Sequence, residues 1–283
     1  MCIRDRDTYL EKYHIPAVDY SEGVKTAYPQ GVQAKEFILP KELLEQDCVI
    51  SLSKMKTHAL ERITGAVKNS YGFVYGFHKA KGHTQYPSAD SFARMLIDLN
   101  KCVAPKLYVM DGIVAMEGNG PGSGDPVPMN VLLMSTDPVA LDSVFSRLVY
   151  LKPEMVPTNY HGEKMGLGTW KEEEITLLTP DGEISMAEAV KKYGNPAFNV
   201  DRTEVRKNIW TRMAGALNIF QKKPYIEADK CVRCGICVQS CPVPGKAVDF
   251  RKGKGKPPVY DYRKCIRCFC CQEMCPKKAI KVK

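Results

Sequence analysis

Two cysteine-rich segments near the end of the chain combine a residue type and a spacing that suit metal chemistry. The first runs from Cys231 to Pro242 in the pattern Cys-x-x-Cys-x-x-Cys-x-x-x-Cys-Pro, and the second repeats it from Cys265 to Pro276. Three cysteines at i, i+3 and i+6 of a tight loop direct their thiolates at one iron–sulfur cluster, whereas the fourth ligates the cluster of the other motif. The pattern therefore predicts two 4Fe–4S clusters.

Each predicted cluster takes three ligands from one motif and one from the other. The predicted ligands of cluster one are Cys231, Cys234, Cys237 and Cys275. The predicted ligands of cluster two are Cys265, Cys268, Cys271 and Cys241. Cys270 lies off this spacing, and we interpret it as a small packing residue.

Two other uses of the cysteines fit the sequence less well. Zinc ribbons use two Cys-x-x-Cys pairs and require neither a third cysteine three residues later nor a proline after the fourth. Disulfide frameworks spread their cysteines along the chain, but nine of the twelve cysteines lie between residues 231 and 275. The spacing favours iron–sulfur clusters over both alternatives.

The positive charge of the chain is concentrated in the cysteine-rich region. Residues 222–283 contain 16 Lys and Arg but only 5 Asp and Glu. Residues 1–221 contain 25 Lys and Arg and 27 Asp and Glu, so the whole chain has a formal net charge of +9. The basic run at residues 251–256 has two interpretations: a solvated hairpin tip, or a docking surface for an acidic redox partner protein. Nucleic acid is disfavoured as a partner because no aromatic residue interleaves this run.

Length and repetition predict two domains, at residues 1–221 and 222–283. The chain has 283 residues, of which 44% are hydrophobic, enough for one ordinary domain and a small one. Its last part is an internal repeat at an offset of 34 residues. We expect a small α+β ferredoxin-like unit there, whose folding depends on metal binding. A helix at residues 203–221 is predicted to connect the two domains.

The beginning of the chain leads to expectations about its origin and location. Residues 1–6 resemble translated adapter sequence and lead directly into what reads as the middle of a domain, so we expect the native N-terminus to be missing. No apolar run approaches the roughly 18 residues needed to cross a bilayer, and the start lacks the apolar stretch of a signal peptide. Reduced thiolates favour a cytoplasmic location, although a missing N-terminus leaves export open.

Upstream of the cysteines, short apolar runs alternate with helical patterns. The runs predicted as strands cover residues 36–39, 48–52, 106–110 and 131–134. The predicted helices cover residues 64–71, 88–102 and 138–150, and Asp137 is the expected N-cap of the last one. Short buried strands that alternate with helices predict an α/β domain with a mostly parallel, doubly wound sheet over residues 20–200.

Polar side chains follow these predicted strands, at the edge where open α/β sheets bind ligands. Lys54 and Lys56 lie two residues apart in an extended segment and point the same way, with His58 beside them. Asp111 follows the next strand, and Lys68 lies on the intervening helix. We take these five residues as candidate catalytic residues, and the alternative for each is an ordinary solvated side chain.

A glycine-rich loop at residues 117–125 completes the candidate site. Glycines let backbone amides approach an anionic ligand. The loop matches neither a Walker motif nor a dinucleotide-binding fingerprint, so a long turn is the alternative interpretation. The candidate ligand-binding residues of the loop are Gly118, Gly120, Gly122 and Gly124. With the lysines, they predict a small substrate that carries carboxylate or phosphate groups.

At these residues the chain resembles the domain of unknown function (DUF) family 362. The resemblance rests on four segments: residues 53–58, residues 65–72, residues 111–121 and residues 137–142. The second cysteine motif resembles the ferredoxin-fused members of the family. The resemblance covers roughly residues 20–283 and implies an iron–sulfur protein with an α/β domain whose reaction is unassigned.

Three functional hypotheses follow from these features. In the first, the chain is an iron–sulfur oxidoreductase whose clusters exchange single electrons with an anionic substrate in the α/β domain. In the second, it is a non-enzymatic electron carrier or iron–sulfur assembly protein, and the α/β domain is a docking scaffold. In the third, the clusters are structural and the α/β domain performs redox-neutral chemistry. The sequence contains no flavin or nicotinamide motif.

Overall fold

The computed structural model describes residues 3–18, 20–76, 78–204, 222–251 and 253–283. We call residues 3–204 the α/β unit and residues 222–283 the cysteine-rich unit. The strands of the α/β unit are β1 (Gly23–Ala27), β2 (Glu36–Pro40), β3 (Ile50–His58), β4 (Arg62–Thr64), β5 (Leu107–Glu117), β6 (Asp125–Ser135), β7 (Leu177–Thr179) and β8 (Gly182–Ile184). Its helices are α1 (Ile3–Lys12), α2 (Lys41–Leu44), α3 (Ala66–Asn69), α4 (His78–Gln85), α5 (Ala89–Val103), α6 (Pro138–Leu148), α7 (Pro157–Lys164) and α8 (Met186–Tyr193). The predicted connecting helix lies almost entirely outside the described residues.

A four-stranded sheet forms the centre of the α/β unit, in the order β4-β3-β5-β6. The β3–β5 pair is parallel, whereas β4 and β6 pair antiparallel with their neighbours. The sheet is therefore mixed, which corrects the prediction of a mostly parallel sheet. The apolar run at 36–39 lies in β2, which pairs with β1 in a separate antiparallel hairpin.

Two features of the sheet explain this difference from the sequence prediction. β6 starts at Asp125 and forms a long hairpin with β5, but only its apolar end at 131–134 resembles a buried strand in the sequence. In addition, the face of the sheet that carries Leu52, Leu132 and Met134 leaves these side chains exposed. Within the described residues the sheet is covered by helices on its other face, so it is not doubly wound.

Two hydrophobic cores hold the helices in place. The first lies between the sheet and α6 and contains Met55 and Phe145, both without solvent exposure. The second joins α5 to α3 through Phe92 and Val67, which are equally buried. The predicted N-cap of α6 is confirmed, because Asp137 accepts the amides at the start of that helix.

The cysteine-rich unit shows the internal repeat in its backbone. Its elements are β9 (Pro224–Ile226), α9 (Ile236–Gln239), β10 (Val248–Asp249), β11 (Val259–Tyr260), α10 (Cys270–Glu273) and β12 (Ile280–Val282). β9 pairs with β12, and β10 pairs with β11, both antiparallel. The two short helices follow residues with left-handed backbones, Gly235 at φ 77° and Phe269 at φ 61°. Each half therefore places its cysteine loop and helix in the same way.

Candidate functional site

The four cysteines predicted to bind cluster one line a single pocket to which both motifs contribute. These lining cysteines are Cys231, Cys234, Cys237 and Cys275. Apolar Ile226 and Ile280 complete part of the wall. Burial raises the pKa of Cys237 to about 11, and the charges of the other three thiols act on it as well. The structure therefore brings the last cysteine of the second motif to the first three cysteines of the first motif.

The cysteines predicted to bind cluster two lie close enough for their charges to act on one another. Burial raises the pKa of Cys265, and the charges of Cys268 and Cys241 act on it. Burial also raises the pKa of Cys271 to about 12. The hydroxyl of Tyr260 donates a hydrogen bond to Cys271 Sγ at 3.1 Å.

The surroundings of these sulfur atoms fit bound 4Fe–4S clusters. Backbone amides donate to sulfur from Ala247 to Cys241 and from Ala279 to Cys275, both at 3.3 Å. Donors directed at sulfur favour the thiolate form, whereas burial without a cation opposes it. Coordination to iron removes this conflict, because a coordinating thiol is deprotonated.

Helix α10 of the second cysteine motif packs directly against the glycine-rich loop of the α/β unit. The buried side chain of Gln272 donates hydrogen bonds to the carbonyl oxygens of Asn119 and Gly120, at 2.8 and 3.0 Å. The ammonium group of Lys278 donates to the carbonyl oxygen of Gly124 at 2.9 Å. These contacts hold the second motif, and with it the predicted cluster two, against the α/β unit.

The glycines of this loop allow the backbones of β3 and α10 to approach it closely. Gly118 has a left-handed backbone with φ 71°. A β-carbon at Gly120 would lie 2.3 Å from the carbonyl oxygen of Thr57, and one at Gly122 would lie 2.6 Å from that of Glu273. The loop thus has a packing reason for glycine, and a role of these glycines in ligand binding stays a prediction.

His58, at the end of β3, connects the predicted site to the cysteine-rich unit. Its Nδ1 accepts the backbone amides of Leu60 and Glu61, both at 3.1 Å, so the ring proton lies on Nε2. That nitrogen donates to Glu273 Oε1 at 3.0 Å. Burial and the charge of Lys68 lower the pKa of His58, which keeps the ring neutral. Burial opposes ionisation of Glu273, but Lys68 and this hydrogen bond hold its pKa at about 2.

Lys54, Lys56 and Asp111 lie together on the open face of the sheet. Lys54 and Asp111 are paired residues of the parallel strands β3 and β5, and their side chains form an ion pair. Lys56 lies two residues further along β3 and is partly buried. Burial lowers the pKa of Lys56, as do the charges of Lys68 and Lys54.

A buried carboxylate in α6 positions Lys68. Asp142 accepts the amides of Ala66 and Val67 at 2.6 and 3.1 Å and so anchors the start of α3, the helix that carries Lys68. A β-carbon at Gly65 would lie 1.9 Å from Asp142 Oδ1, which explains the glycine. Burial raises the pKa of Asp142 to about 7, against the effect of the two hydrogen bonds.

The charge of Lys68 acts on ionisable groups from several elements. The groups whose pKa it affects are Lys56, His58, Glu61, Lys79, His83 and Glu273. We call Lys54, Lys56 and Lys68 the lysine site. Lys56, Lys68 and His58 thus act on or contact Glu273 of α10, whereas Lys54 lies beside Lys56 and pairs with Asp111.

Three residues around this site were not predicted from the sequence. Glu273 lies inside a cysteine motif, where spacing draws attention to the ligands alone. His83 is 5% exposed and stacks on Phe92 with ring centroids 4.6 Å apart, and burial lowers its pKa to about 4. Glu61 is fully buried in the turn after β3. No periodic pattern marks any of the three, because each depends on packing between distant segments.

Glu61 leads to a prediction about pH dependence. Neither of its carboxyl oxygens has a hydrogen-bond partner in the described part of the chain, and burial raises its pKa well above the usual 4.5. The folded protein therefore keeps the proton at pH values where the unfolded chain has lost it. The free energy of unfolding consequently falls as pH rises above about 4.5 toward the folded pKa, by about 1.4 kcal/mol per pH unit from this group.

We expect Glu61→Gln to remove this part of the pH dependence. Thermal or denaturant unfolding between about pH 5 and 7 would show a flatter profile for the variant than for the unchanged protein. Glu183→Gln, at an exposed position in β8, is the control and should leave the slope unchanged. Parallel profiles for all three proteins would contradict the assignment of a protonated Glu61.

Comparison with known families matches both parts of the chain. Residues 6–147 match the family described as "Domain of unknown function (DUF362)", and residues 223–276 match a "4Fe-4S dicluster domain". No solved structure matches the chain. Within the described residues, no helix combines the length and apolar character needed to span a membrane.

A curated relative matches part of the chain. The "Thylakoid-associated protein sll1697" of Synechocystis sp. is 42% identical over 130 residues, which is 46% of this chain and 40% of that protein. The match thus spans less than half of the relative, and the cytoplasmic location of the present chain stays a prediction. The family matches cover both the lysine site and the cysteine motifs. The chain therefore belongs to the DUF362 family and carries a 4Fe-4S dicluster domain after its DUF362 region.

Proposed function

We propose that the chain binds two 4Fe–4S clusters and that these exchange single electrons with an anionic ligand at the lysine site. The proposal is supported chiefly by the position of α10, whose Glu273 accepts a hydrogen bond from His58 at 3.0 Å. Burial raises the pKa of Tyr71, and the charges of Cys270 and Cys268 raise it further, so the second motif also lies close to the α/β unit there. When bound, such clusters supply one-electron transfer.

The eight motif cysteines are the proposed ligands. Cluster one would be held by Cys231, Cys234, Cys237 and Cys275, and cluster two by Cys265, Cys268, Cys271 and Cys241. Amide donors to Cys241 and Cys275, and the hydroxyl of Tyr260 on Cys271, stabilise negative charge on sulfur. The sulfur of Cys270 is left over by this assignment and packs in the buried start of α10.

The lysine site is suited to carboxylate or phosphate groups. Lys54 is already paired with Asp111, but Lys56 and Lys68 repel each other, and neither forms an ion pair with a carboxylate of the described residues. An anionic ligand would relieve this repulsion, since like charges close together disfavour each other. Reduction makes such a ligand more negative, and the same lysines then stabilise the added charge.

The experiment begins with anaerobic purification and analysis of iron and sulfide. We expect about eight of each per chain and an EPR signal from both clusters after reduction with dithionite. Inorganic phosphate or succinate, added to the reduced protein, should then change the EPR spectrum of one cluster, because the lysine site lies next to α10. Protein purified without iron would overturn the proposal.

Lys68→Ala tests the lysine site separately. We expect it to weaken phosphate or succinate binding by about 10- to 100-fold, because a hydrogen bond to a charged group contributes about 1.5–3 kcal/mol. Iron content should stay unchanged. Lys25→Ala removes an exposed lysine of β1 that pairs with Glu36 and should leave binding intact. Equal anion binding by both variants would reject the ligand site.

A non-enzymatic electron carrier is the second candidate. It is supported by the basic surface of the cysteine-rich unit, where exposed lysines flank the first motif. A carrier would contain the same clusters and exchange electrons with a partner, but its EPR spectrum and potentials would not respond to small anions. The anion titration therefore separates the two candidates.

A further inference from the structure

The two proposed clusters differ in their access to solvent. Among the cysteines of cluster one, Cys234 is exposed and Cys231 is half-buried. Among those of cluster two, Cys241, Cys268 and Cys271 are buried. The cluster-two motif is also the one that packs on the α/β unit through α10. The cysteine-rich unit thus has an inner end, which faces the lysine site, and an outer end, which faces solvent.

The outer end carries basic side chains that are free of acidic partners. Arg233 lies between two cysteines of the first motif and donates a hydrogen bond to the carbonyl oxygen of Gly255 at 3.1 Å. This contact places Lys254 and Lys256, the neighbours of Gly255, beside the first cysteine motif. Lys277 lines the same pocket as the cysteines. All four basic residues are exposed, and none forms an ion pair within the described residues.

Most acidic residues of the cysteine-rich unit are engaged elsewhere. Glu227 pairs with Lys230, and Asp261 pairs with Arg251. Glu273 is turned toward His58 at the inner end. None of these carboxylates pairs with the four basic residues, and neither Asp229 nor Asp249 forms an ion pair with them among the described residues. The four cations are therefore unpaired near Cys234, the exposed cysteine of the cysteine-rich unit.

We infer that the outer end is a docking surface for a small acidic one-electron carrier protein, and that electrons enter there and leave at the inner end. This inference rests on the proposed function. In the entry step, the reduced carrier loses one electron and the cysteine-rich unit gains it, and neither atoms nor protons are transferred. Charge complementarity selects the partner, because an acidic surface is attracted to four unpaired cations around the point of entry.

The experiment uses an acidic flavodoxin, in its reduced form for kinetics and its oxidised form for binding, with the anaerobically purified full chain. The test variant is Lys254→Gln/Lys256→Gln, in an exposed loop. Its matched control is Lys191→Gln/Lys192→Gln, which removes two exposed lysines from α8. Both variants change the net charge equally, and dithionite should reduce both as fast as the unchanged protein.

At low salt, we expect the second-order rate constant for reduction by flavodoxin to be about tenfold lower for the test variant. We expect its affinity for oxidised flavodoxin to fall by a similar factor. The control should stay within about twofold, since distant charges are screened. Added salt should lower the rate at which flavodoxin reduces the unchanged protein. It should also reduce the difference in rate between the unchanged protein and the test variant. Equal losses in both variants, or rates independent of salt, would overturn the inference.

Three further outcomes are distinguishable. If the chain contains no iron, the proposed function fails before any docking experiment. If it contains iron and responds to anions at the lysine site, but flavodoxin reduces every variant equally, the docking surface alone is rejected. Tighter binding of a short DNA duplex than of flavodoxin, lost in the test variant, would reject the protein partner in favour of nucleic acid.

Discussion

Cys275→Ser is expected to remove cluster one, although Cys275 belongs to the second motif. In the structure this cysteine lines the pocket of Cys231, Cys234 and Cys237. A serine oxygen is a poorer ligand for iron than a thiolate, which soft metal centres prefer. We therefore expect roughly half of the iron and sulfide to be lost, with one of two EPR signals remaining after reduction.

Matched cysteine variants show which cluster has been lost. The spectrum that remains in Cys275→Ser should equal that of Cys231→Ser and differ from that of Cys265→Ser. Cys270→Ser, one residue before a proposed ligand, should keep the full iron content because its sulfur lies off the ligand spacing. A Cys275→Ser spectrum that matches Cys265→Ser would mean that each motif binds its own cluster through all four cysteines.

Gly122→Ala is expected to loosen the contact between the two units without replacing a cysteine or a lysine. The added β-carbon would lie 2.6 Å from the backbone carbonyl oxygen of Glu273, so backbone rather than a flexible side chain must move. Overpacking of this kind costs about 1–3 kcal/mol. We expect amide hydrogen exchange in the loop at residues 117–125 to accelerate about tenfold or more, since every 1.4 kcal/mol is a factor of ten.

The same variant tests whether the packing of α10 on the glycine-rich loop affects ligand binding at the lysine site. We expect iron content to be unchanged, and the EPR response to phosphate or succinate to be reduced, because Glu273 and α10 move away from His58. Gly255→Ala is the control, since a β-carbon there meets no atom within 4 Å. Unchanged exchange and an unchanged anion response in Gly122→Ala would show that the loop contact is not needed for coupling.

Much of the chemistry could be predicted because it depends on short-range spacing. Cysteines at i, i+3 and i+6 need only a tight loop to face one cluster, and the match to a 4Fe-4S dicluster domain supports cluster binding. Lys54, Lys56 and His58 alternate along one strand, β3, which continues to His58 instead of ending at residue 52 as predicted. Their role in a common site stays a prediction. The ligand assignment itself, the domain boundary and the location of the protein stay predictions.

The fold was predicted less well because strand pairing is not a local property. The apolar end of β6 resembles a buried parallel strand, but its partner β5 runs antiparallel to it and the hairpin starts at Asp125. Sequence periodicity shows which face of a strand is buried, but it does not show the direction of its neighbour. The predicted run at 36–39 is a strand as expected, yet it pairs with β1 outside the main sheet.

Residue types and spacing were enough to predict 4Fe–4S binding, the resemblance to the DUF362 family and a group of polar residues along a central strand. How these parts meet became visible in the three-dimensional packing alone. Gln272 donates a hydrogen bond to the carbonyl oxygen of Asn119, 153 residues away, across the contact between the units. Glu273 completes the surroundings of His58 across 215 residues. Such contacts depend on the packing of two folded units against each other, which local residue patterns do not encode.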